Sequence, residues 1–367
     1  MIKLIDKNKC TGCAACFSAC RFGALEMRLD RNGFLHPAID SKKCKECKMC
    51  VSACPKMNEN RVRFFTKRSC FCGRERNALV SGGSSSGGVA ASVSNAFIEN
   101  GGVVYGTAFV DGHCQVIRVD SENKVRLELL KGSKYVQSAV SNAIISVKND
   151  LKASKRVLFI GTPCQVAGVK SFCGEQEHLF TIDLICGGVS SEKLLKEYVR
   201  NADDSCDVEG TNFIFREGRE YVVKAVRGDT TVFYEKKGKS KFIVAFDNGC
   251  IINRACRTCS FAKKERVSDL TIGDYWGESE KSEFALSCMM PMTDKGYELL
   301  RSSSVEYAEG DYDLLLRHNP RLLSAVMTRT NEKKYKLFWL LKNTLGINFA
   351  DFMLRKNMKK KGIKYPQ

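Results

Sequence analysis

A chain of 367 residues exceeds one average domain, and a 44% hydrophobic share is enough to bury a sizeable core. No apolar run approaches the roughly 20 residues that cross a bilayer, and no signal-peptide h-region opens the chain, so a cytoplasmic protein is expected. The net charge of +18 suits polyanionic or acidic partners, but no RNP motif, helix-turn-helix signature or zinc-finger spacing is present, and nucleic acid is excluded as a partner.

Nineteen cysteines stand in the chain, an odd total that cannot pair completely. Cytosolic thiols are held reduced, so clustered cysteines are read as metal or cluster ligands. Cys10, Cys13, Cys16 and Cys20 follow C-x2-C-x2-C-x3-C, and Cys44, Cys47, Cys50 and Cys54 repeat it with Pro55 next. Such doubled runs hold two 4Fe-4S clusters, the fourth cysteine of each run serving the other cluster. Three thiolates two residues apart wrap a tight loop around three irons, and the fourth must come from elsewhere. One cluster is therefore expected on Cys10, Cys13, Cys16 and Cys54, and the other on Cys44, Cys47, Cys50 and Cys20. Arg21 departs from the pattern by standing where the second run has Pro55; the proline shapes backbone and is no ligand. Zinc knuckles are the rival reading, and eight cysteines at doubled spacing fit iron–sulfur better. Between the runs, apolar segments 24–29 and 34–39 flank Asp30-Arg31-Asn32-Gly33, which predicts a hairpin.

After a basic stretch at 61–68, strands are predicted at 103–109, 157–160 and 180–185, with helices at 86–99, 165–172 and 191–199. This alternation predicts an α/β domain with a partly parallel sheet. Residues 213–246 read as an antiparallel β-rich insertion, and from Asn331 onward the chain reads as helical and basic. The run Ser81-Gly-Gly-Ser-Ser-Ser-Gly-Gly88 precedes a helix, where small residues and the helix dipole can receive an anion such as a pyrophosphate. It matches neither the Rossmann fingerprint nor the P-loop, and a flexible linker is the plainer reading. Gly161-Thr-Pro-Cys-Gln165 and Leu184-Ile-Cys-Gly-Gly188 each close a hydrophobic strand, where open α/β sheets place ligands. With the C-x2-C pair in Arg254-Ala-Cys-Arg-Thr-Cys259, they offer Cys164, Cys186, Cys256 and Cys259 as a third 4Fe-4S site. Zinc, or simple burial, is the competing reading, with Cys250 the rival ligand. Cys70, Cys72, Cys114, Cys173, Cys206 and Cys288 read as structural thiols, and His36, His113, His178 and His318 as structural or exposed.

From about Cys70 to Tyr312 these segments, with Gly132-Ser-Lys-Tyr-Val-Gln137 and Ser268-Asp-Leu-Thr-Ile-Gly-Asp-Tyr-Trp276, resemble the coenzyme F420 hydrogenase/dehydrogenase beta-subunit family, here with a ferredoxin module in front. The resemblance implies a flavoprotein using FAD, with an additional 4Fe-4S cluster on Cys164, Cys186, Cys256 and Cys259 beside the flavin. It implies flavin contacts from Ser84, Ser85, Ser86, Gly87, Gly88 and Thr162. Lys134 becomes a candidate to neutralise phosphate, and Asp274 a candidate polar contact to flavin or substrate. Relatives carry Cys-His-Gly where this chain has Cys186-Gly187-Gly188, so an imidazole is missing near the flavin. Relatives with this fusion are associated with polysaccharide synthesis, and coenzyme F420 itself is one candidate substrate among others.

The expected architecture is α+β / α/β: a two-cluster ferredoxin fold over 1–62, an α/β flavin and Fe-S domain over 70–315 with a β-rich insertion, and a basic helical extension over 316–367. The expected function is a flavin-dependent Fe-S oxidoreductase working with a redox partner protein or small redox carrier, with no oligomeric state specified. The alternative is a non-catalytic electron-transfer or docking partner of another enzyme. Leu337, Phe338, Leu340 and Leu341, with Arg355, Lys356, Lys359, Lys360, Lys361 and Lys364, also suit peripheral contact with anionic lipid.

Overall fold

The computed structural model describes residues 2–277, 284–325 and 331–359. Lys360, Lys361 and Lys364 of the tail lie outside the described residues. The two cysteine runs repeat in backbone as well as in sequence. Gly12 and Ala14 are left-handed (φ 73° and 58°), and so are their equivalents Glu46 and Lys48 (φ 53° and 62°). Each loop then winds into one short helix, Ala15–Ser18 and Met49–Ser52. A left-handed non-glycine residue costs about 1–2 kcal/mol, so three of them held this way show that the loops are shaped by more than local preference.

Strands β1 (Leu25–Leu29) and β2 (Leu35–Ile39) pair antiparallel, Leu25 opposite Ile39. The Asp30 carboxylate closes their turn by accepting from the N–H groups of Asn32 (2.8 Å) and Phe34 (3.0 Å), with Gly33 at φ 84°.

Next come β3 (Phe71–Arg74), β4 (Val103–Val110), β5 (His113–Val119), β6 (Val157–Gly161) and β7 (Leu179–Leu184). An insertion follows, made of β8 (Asn212–Glu217), β9 (Glu220–Arg227) and β10 (Thr230–Lys236), and then β11 (Leu270–Asp274), β12 (Ser287–Pro291) and β13 (Glu306–Glu309). The large sheet runs β13-β3-β12-β11-β7-β6-β4-β5, and its middle strands β4, β6, β7 and β11 are parallel. Their near-continuous apolar composition follows from burial on both faces. On one face Ile144, Val147, Val166 and Val169, from helices Ser141–Lys152 and Pro163–Cys173, pack on Val157 and Phe159. On the other, Val93 and Phe97 of helix Val89–Glu99 and Leu299 and Leu300 of helix Asp294–Arg301 pack on Leu158, Phe180 and Ile182.

Three elements differ from expectation. The helix predicted from Ser86 begins at Val89, because Gly88 is left-handed (φ 77°) and serves as the N-cap. The insertion is an antiparallel meander only as far as Lys236. Residues Lys241–Asp247 then form a helix capped by the Ser240 hydroxyl, which bonds the Ile243 N–H, and it buries Phe242, Ile243 and Phe246. The tail is helical as expected, but it packs. Helix Glu332–Leu345, capped by Asn331, buries Tyr335, Phe338 and Trp339 in the same core as the insertion and as Phe34 of the N-terminal module. Helix Ile347–Lys359 buries Asp351, whose carboxylate accepts from the Tyr198 hydroxyl at 2.8 Å. No described helix is long and apolar enough to cross a membrane.

The N-terminal module sits on the body through specific polar contacts. The Gln137 side chain accepts from the Leu35 N–H (2.7 Å) and donates to the Thr11 carbonyl (3.1 Å). Ser171 bonds the Ala53 carbonyl (2.9 Å), and Lys193 the Arg31 carbonyl (2.9 Å). Gly12 must be glycine here, since a Cβ on it would meet the Gln137 amide nitrogen at 2.3 Å.

Candidate functional site

The eight N-terminal cysteines fall into two neighbourhoods. Burial pushes Cys10 up to about 12 and Cys13 up to about 11, and Cys54 adds charge repulsion to both; Cys16 is raised in the same way. Cys50 is raised by burial and then by Cys20 and Cys47. The fourth cysteine of each run thus lies with the other run's first three. The first set is buried; in the second, Cys44 is half-buried and Cys47 exposed. Grouped thiols resist ionisation unless positive charge sits among them, whereas cluster ligands must be thiolates. The donor set therefore fits iron–sulfur clusters. Among the described residues no three His, Cys, Asp or Glu side chains are disposed to hold a single ion.

Beyond the carboxyl ends of β6, β7 and β11 lies a cavity of about 310 Å³, the place where open parallel sheets put their ligands. Cys164, Cys186, Cys256 and Cys259 all line it, and so do Thr11 and Gly12 from the N-terminal module. Burial, then repulsion from Cys259, Cys186 and Cys256, raises Cys164 well above the usual thiol range; Cys256 is pushed up to about 12 by burial and by Cys186 and Cys259. The helix carrying Cys164 starts with Pro163 at its first turn, and Gln165 Oε1 accepts the Thr162 N–H (3.0 Å), holding the Thr162 hydroxyl 3.2 Å from the Cys164 sulfur. A backbone N–H from Gly188 points at the Cys186 sulfur (3.4 Å). Cys250, the rival ligand, lies instead in the core of the insertion. Cys70, Cys114, Cys173, Cys206 and Cys288 are also buried in apolar cores.

Ser84, Ser85, Ser86 and Gly88 line the same cavity, together with Val89, Ala90 and Ala91 of the helix that follows. Gly88 has no side chain with which to cap that helix, so its first-turn N–H groups are open to an anion at the cavity. This donor set fits a flavin's phosphate. Gly87 lies behind the lining: its N–H goes to the Ser287 hydroxyl (2.9 Å), and a Cβ on it would meet the Gly73 carbonyl at 2.5 Å. Its smallness serves packing on β3 and β12. Lys134 lines the cavity, yet its ammonium bonds the carbonyls of Leu129 (3.0 Å), Leu130 (3.0 Å) and Lys131, and burial pushes it down to about 8. Those carbonyls close the end of helix Leu127–Leu130, so the lysine braces the loop and has no donor to spare for phosphate. Asp274, also on the cavity wall, accepts from Arg216 at 3.3 Å.

Three arginines escaped the sequence reading. Arg216 on β8, nearly fully buried, joins Asp274 to the Ser85 carbonyl (2.8 Å) and so ties the Ser/Gly loop to β11. Arg321 bonds the carbonyls of both Cys186 and Cys256 (3.1 Å each), clamping two of the cysteine loops. Arg266 pairs with Asp183 (3.0 Å), both fully buried, and also holds the Phe261 and Leu184 carbonyls. Gly168, one turn after Cys164, packs on the first cysteine set, since a Cβ there would meet the Cys13 sulfur at 3.1 Å. None of these has a local spacing signal.

Residues 154–309 match the family described as the C-terminal part of the coenzyme F420 hydrogenase/dehydrogenase beta subunit, and residues 9–58 match a 4Fe-4S dicluster domain. No curated protein sequence matches significantly. Among solved structures, the chain is similar to a chain of the F420-reducing NiFe hydrogenase complex from Methanosarcina barkeri, at 15% identity over 77% of this chain and 95% of that one, with a TM-score of 0.50. At that identity the likeness speaks for the fold. The dicluster match makes this an iron–sulfur protein of the electron-transfer kind. The chain thus carries a 4Fe-4S dicluster domain at residues 9–58 and, at residues 154–309, a region that matches the C-terminal part of the coenzyme F420 hydrogenase/dehydrogenase beta subunit.

Proposed function

We propose that the chain is a flavin-dependent iron–sulfur oxidoreductase with a third 4Fe-4S cluster on Cys164, Cys186, Cys256 and Cys259. The observation that carries this reading is one cavity lined at once by the Ser/Gly loop, those four cysteines and Thr11–Gly12 of the dicluster domain. A flavin supplies hydride exchange on one side and single-electron exchange on the other. The chain's part is positional. Helix Val89–Glu99 offers N–H groups to the phosphate end, Arg216 and Ser133 hold the Ser85 loop, and Arg321 holds the carbonyls beside Cys186 and Cys256. Gly187 contributes no imidazole and no histidine lines the cavity; the carboxylates on its wall are Asp274 and Glu128. The substrate side is open to coenzyme F420 or to another two-electron carrier, and the pathway to polysaccharide-related chemistry.

Anaerobic purification with iron, sulfide and flavin quantitation tests the reading. About 12 irons and one flavin per chain are expected from three 4Fe-4S clusters. About 8 irons without flavin would reject it and leave a ferredoxin-type docking partner of another enzyme. Bleaching by reduced F420, and not by NADH or NADPH, would identify the donor.

A further inference from the structure

The two cysteine loops share a backbone and differ in what they carry on it. In the first, Thr11, Gly12, Ala14 and Ala15 separate the cysteines; in the second, Lys45, Glu46, Lys48 and Met49 occupy the same positions. The first loop is pressed against the chain's own body: Gly12 under Gln137, Cys13 on Gly168, Thr11 on the cavity wall. The second faces solvent, with Cys47 exposed and Lys42, Lys43, Lys45 and Lys48 exposed around it. Arg21, exposed beside Cys20, adds a fifth cation next to the same cysteine set. Glu46 is the one acid between Lys42 and Lys48, and Asp40 is engaged by Lys43 at 3.8 Å. The departure from proline at Arg21 thus places a charge on the exposed surface beside Cys20, whereas Pro55 at the equivalent position is buried.

We infer that the cluster of Cys20, Cys44, Cys47 and Cys50 is the outer exchange point of the protein, and that its ring of basic side chains docks an acidic one-electron carrier protein. This rests on the electron-transfer reading above and adds the face and charge of the partner. In the exchange, one electron leaves the reduced cluster and lowers the carrier's metal centre by one oxidation step; no bond is made or broken and no proton moves. Complementary charge around an exposed redox centre accelerates encounter and fixes which face meets the carrier.

The test uses the full-length holoprotein, an acidic plant-type 2Fe-2S ferredoxin and, as control, a basic c-type cytochrome. Stopped-flow rates and calorimetric binding of the oxidised ferredoxin are followed as salt rises. The rate with ferredoxin is expected to fall about tenfold or more with salt, and by a similar factor in K42E/K43E/K45E at low salt. The cytochrome rate is expected to rise in the same variant, with cluster EPR signals and midpoint potentials unchanged. Wild-type kinetics and binding in the variant, with intact clusters, would overturn this inference alone. Loss of binding to phosphatidylserine vesicles in the variant, in place of loss of ferredoxin binding, would assign the ring to lipid and overturn it too. Absence of any 4Fe-4S signal would overturn the electron-transfer reading together with it.

Discussion

At the scale of single residues, the body of the protein places charges where water does not reach and neutralises them locally. Arg266 and Asp183 are the extreme case: one Asp183 oxygen takes two guanidinium bonds and the Thr271 hydroxyl (2.6 Å), while the other is buried without a hydrogen-bond partner. Arg266→Met removes the cation and leaves that carboxylate bare, so a loss of about 3–5 kcal/mol is expected in chemical denaturation. Asp150 behaves differently. Burial pushes its pKa up, but hydrogen bonds from Arg118, Tyr105 and Lys155 outweigh this and hold it below the usual carboxylate range. The folded state then binds that proton less tightly than the unfolded chain. Its stabilisation is complete above about pH 4 and disappears as pH falls through the lowered folded value. Asp150→Asn should therefore unfold at lower denaturant than the parent at pH 7, with the gap closing in acid.

At the scale of elements, helix Pro163–Cys173 and the two tail helices bear the sharpest consequences. Gly168→Val thrusts a side chain into Cys13, so the variant is expected to purify with about four fewer irons per chain, one cluster's worth, while keeping its far-UV circular dichroism. On the tail, Leu340, Leu345, Phe349 and Phe352 stay exposed although Phe338 and Trp339 are buried. Phe349→Ser with Phe352→Ser tests the peripheral lipid contact expected from the sequence: anionic-vesicle co-sedimentation that is unchanged in the variant, or absent in the parent, removes that expectation, whereas truncation at Asp351 would also strip a buried partner from Tyr198. These elements show what is legible in sequence. Three of the four parallel strands, β4, β6 and β7, were readable to within a residue or two because burial on both faces leaves largely apolar runs; β11 was not, because Thr271, Gly273 and Asp274 break its run. Helix Lys241–Asp247 was not, since its five apolar residues from Phe242 to Phe246 serve equally as a strand until Ser240 caps them. The two N-terminal cysteine runs were readable because their spacing is local; Cys164, Cys186 and the Cys256–Cys259 pair were offered only from their places at strand ends and from a resemblance. Arg216, Arg266 and Arg321 were hidden because Asp274, Asp183 and Cys186, the partners that place them, lie 58 to 135 residues away in the chain.

At the scale of the whole molecule, the buried first cysteine set touches the helix that carries Cys164, while the second set holds Cys47, the one cysteine exposed among the described residues. The step between Cys164 and Cys13 has a simple origin. Cys164 and Gly168 are four residues apart on one helix, so they share a face and are separated by about 6 Å of axial rise. Gly168 touches Cys13, which makes that helical turn the ruler between the Cys164 and Cys13 positions. A ruler made of continuous backbone hydrogen bonds does not stretch when loops breathe or a partner docks. Inserting one residue between Cys164 and Gly168 would swing the contact by about 100° around the helix, taking the small face away from Cys13. The interval between Cys164 and Cys13 is thus written into helical pitch.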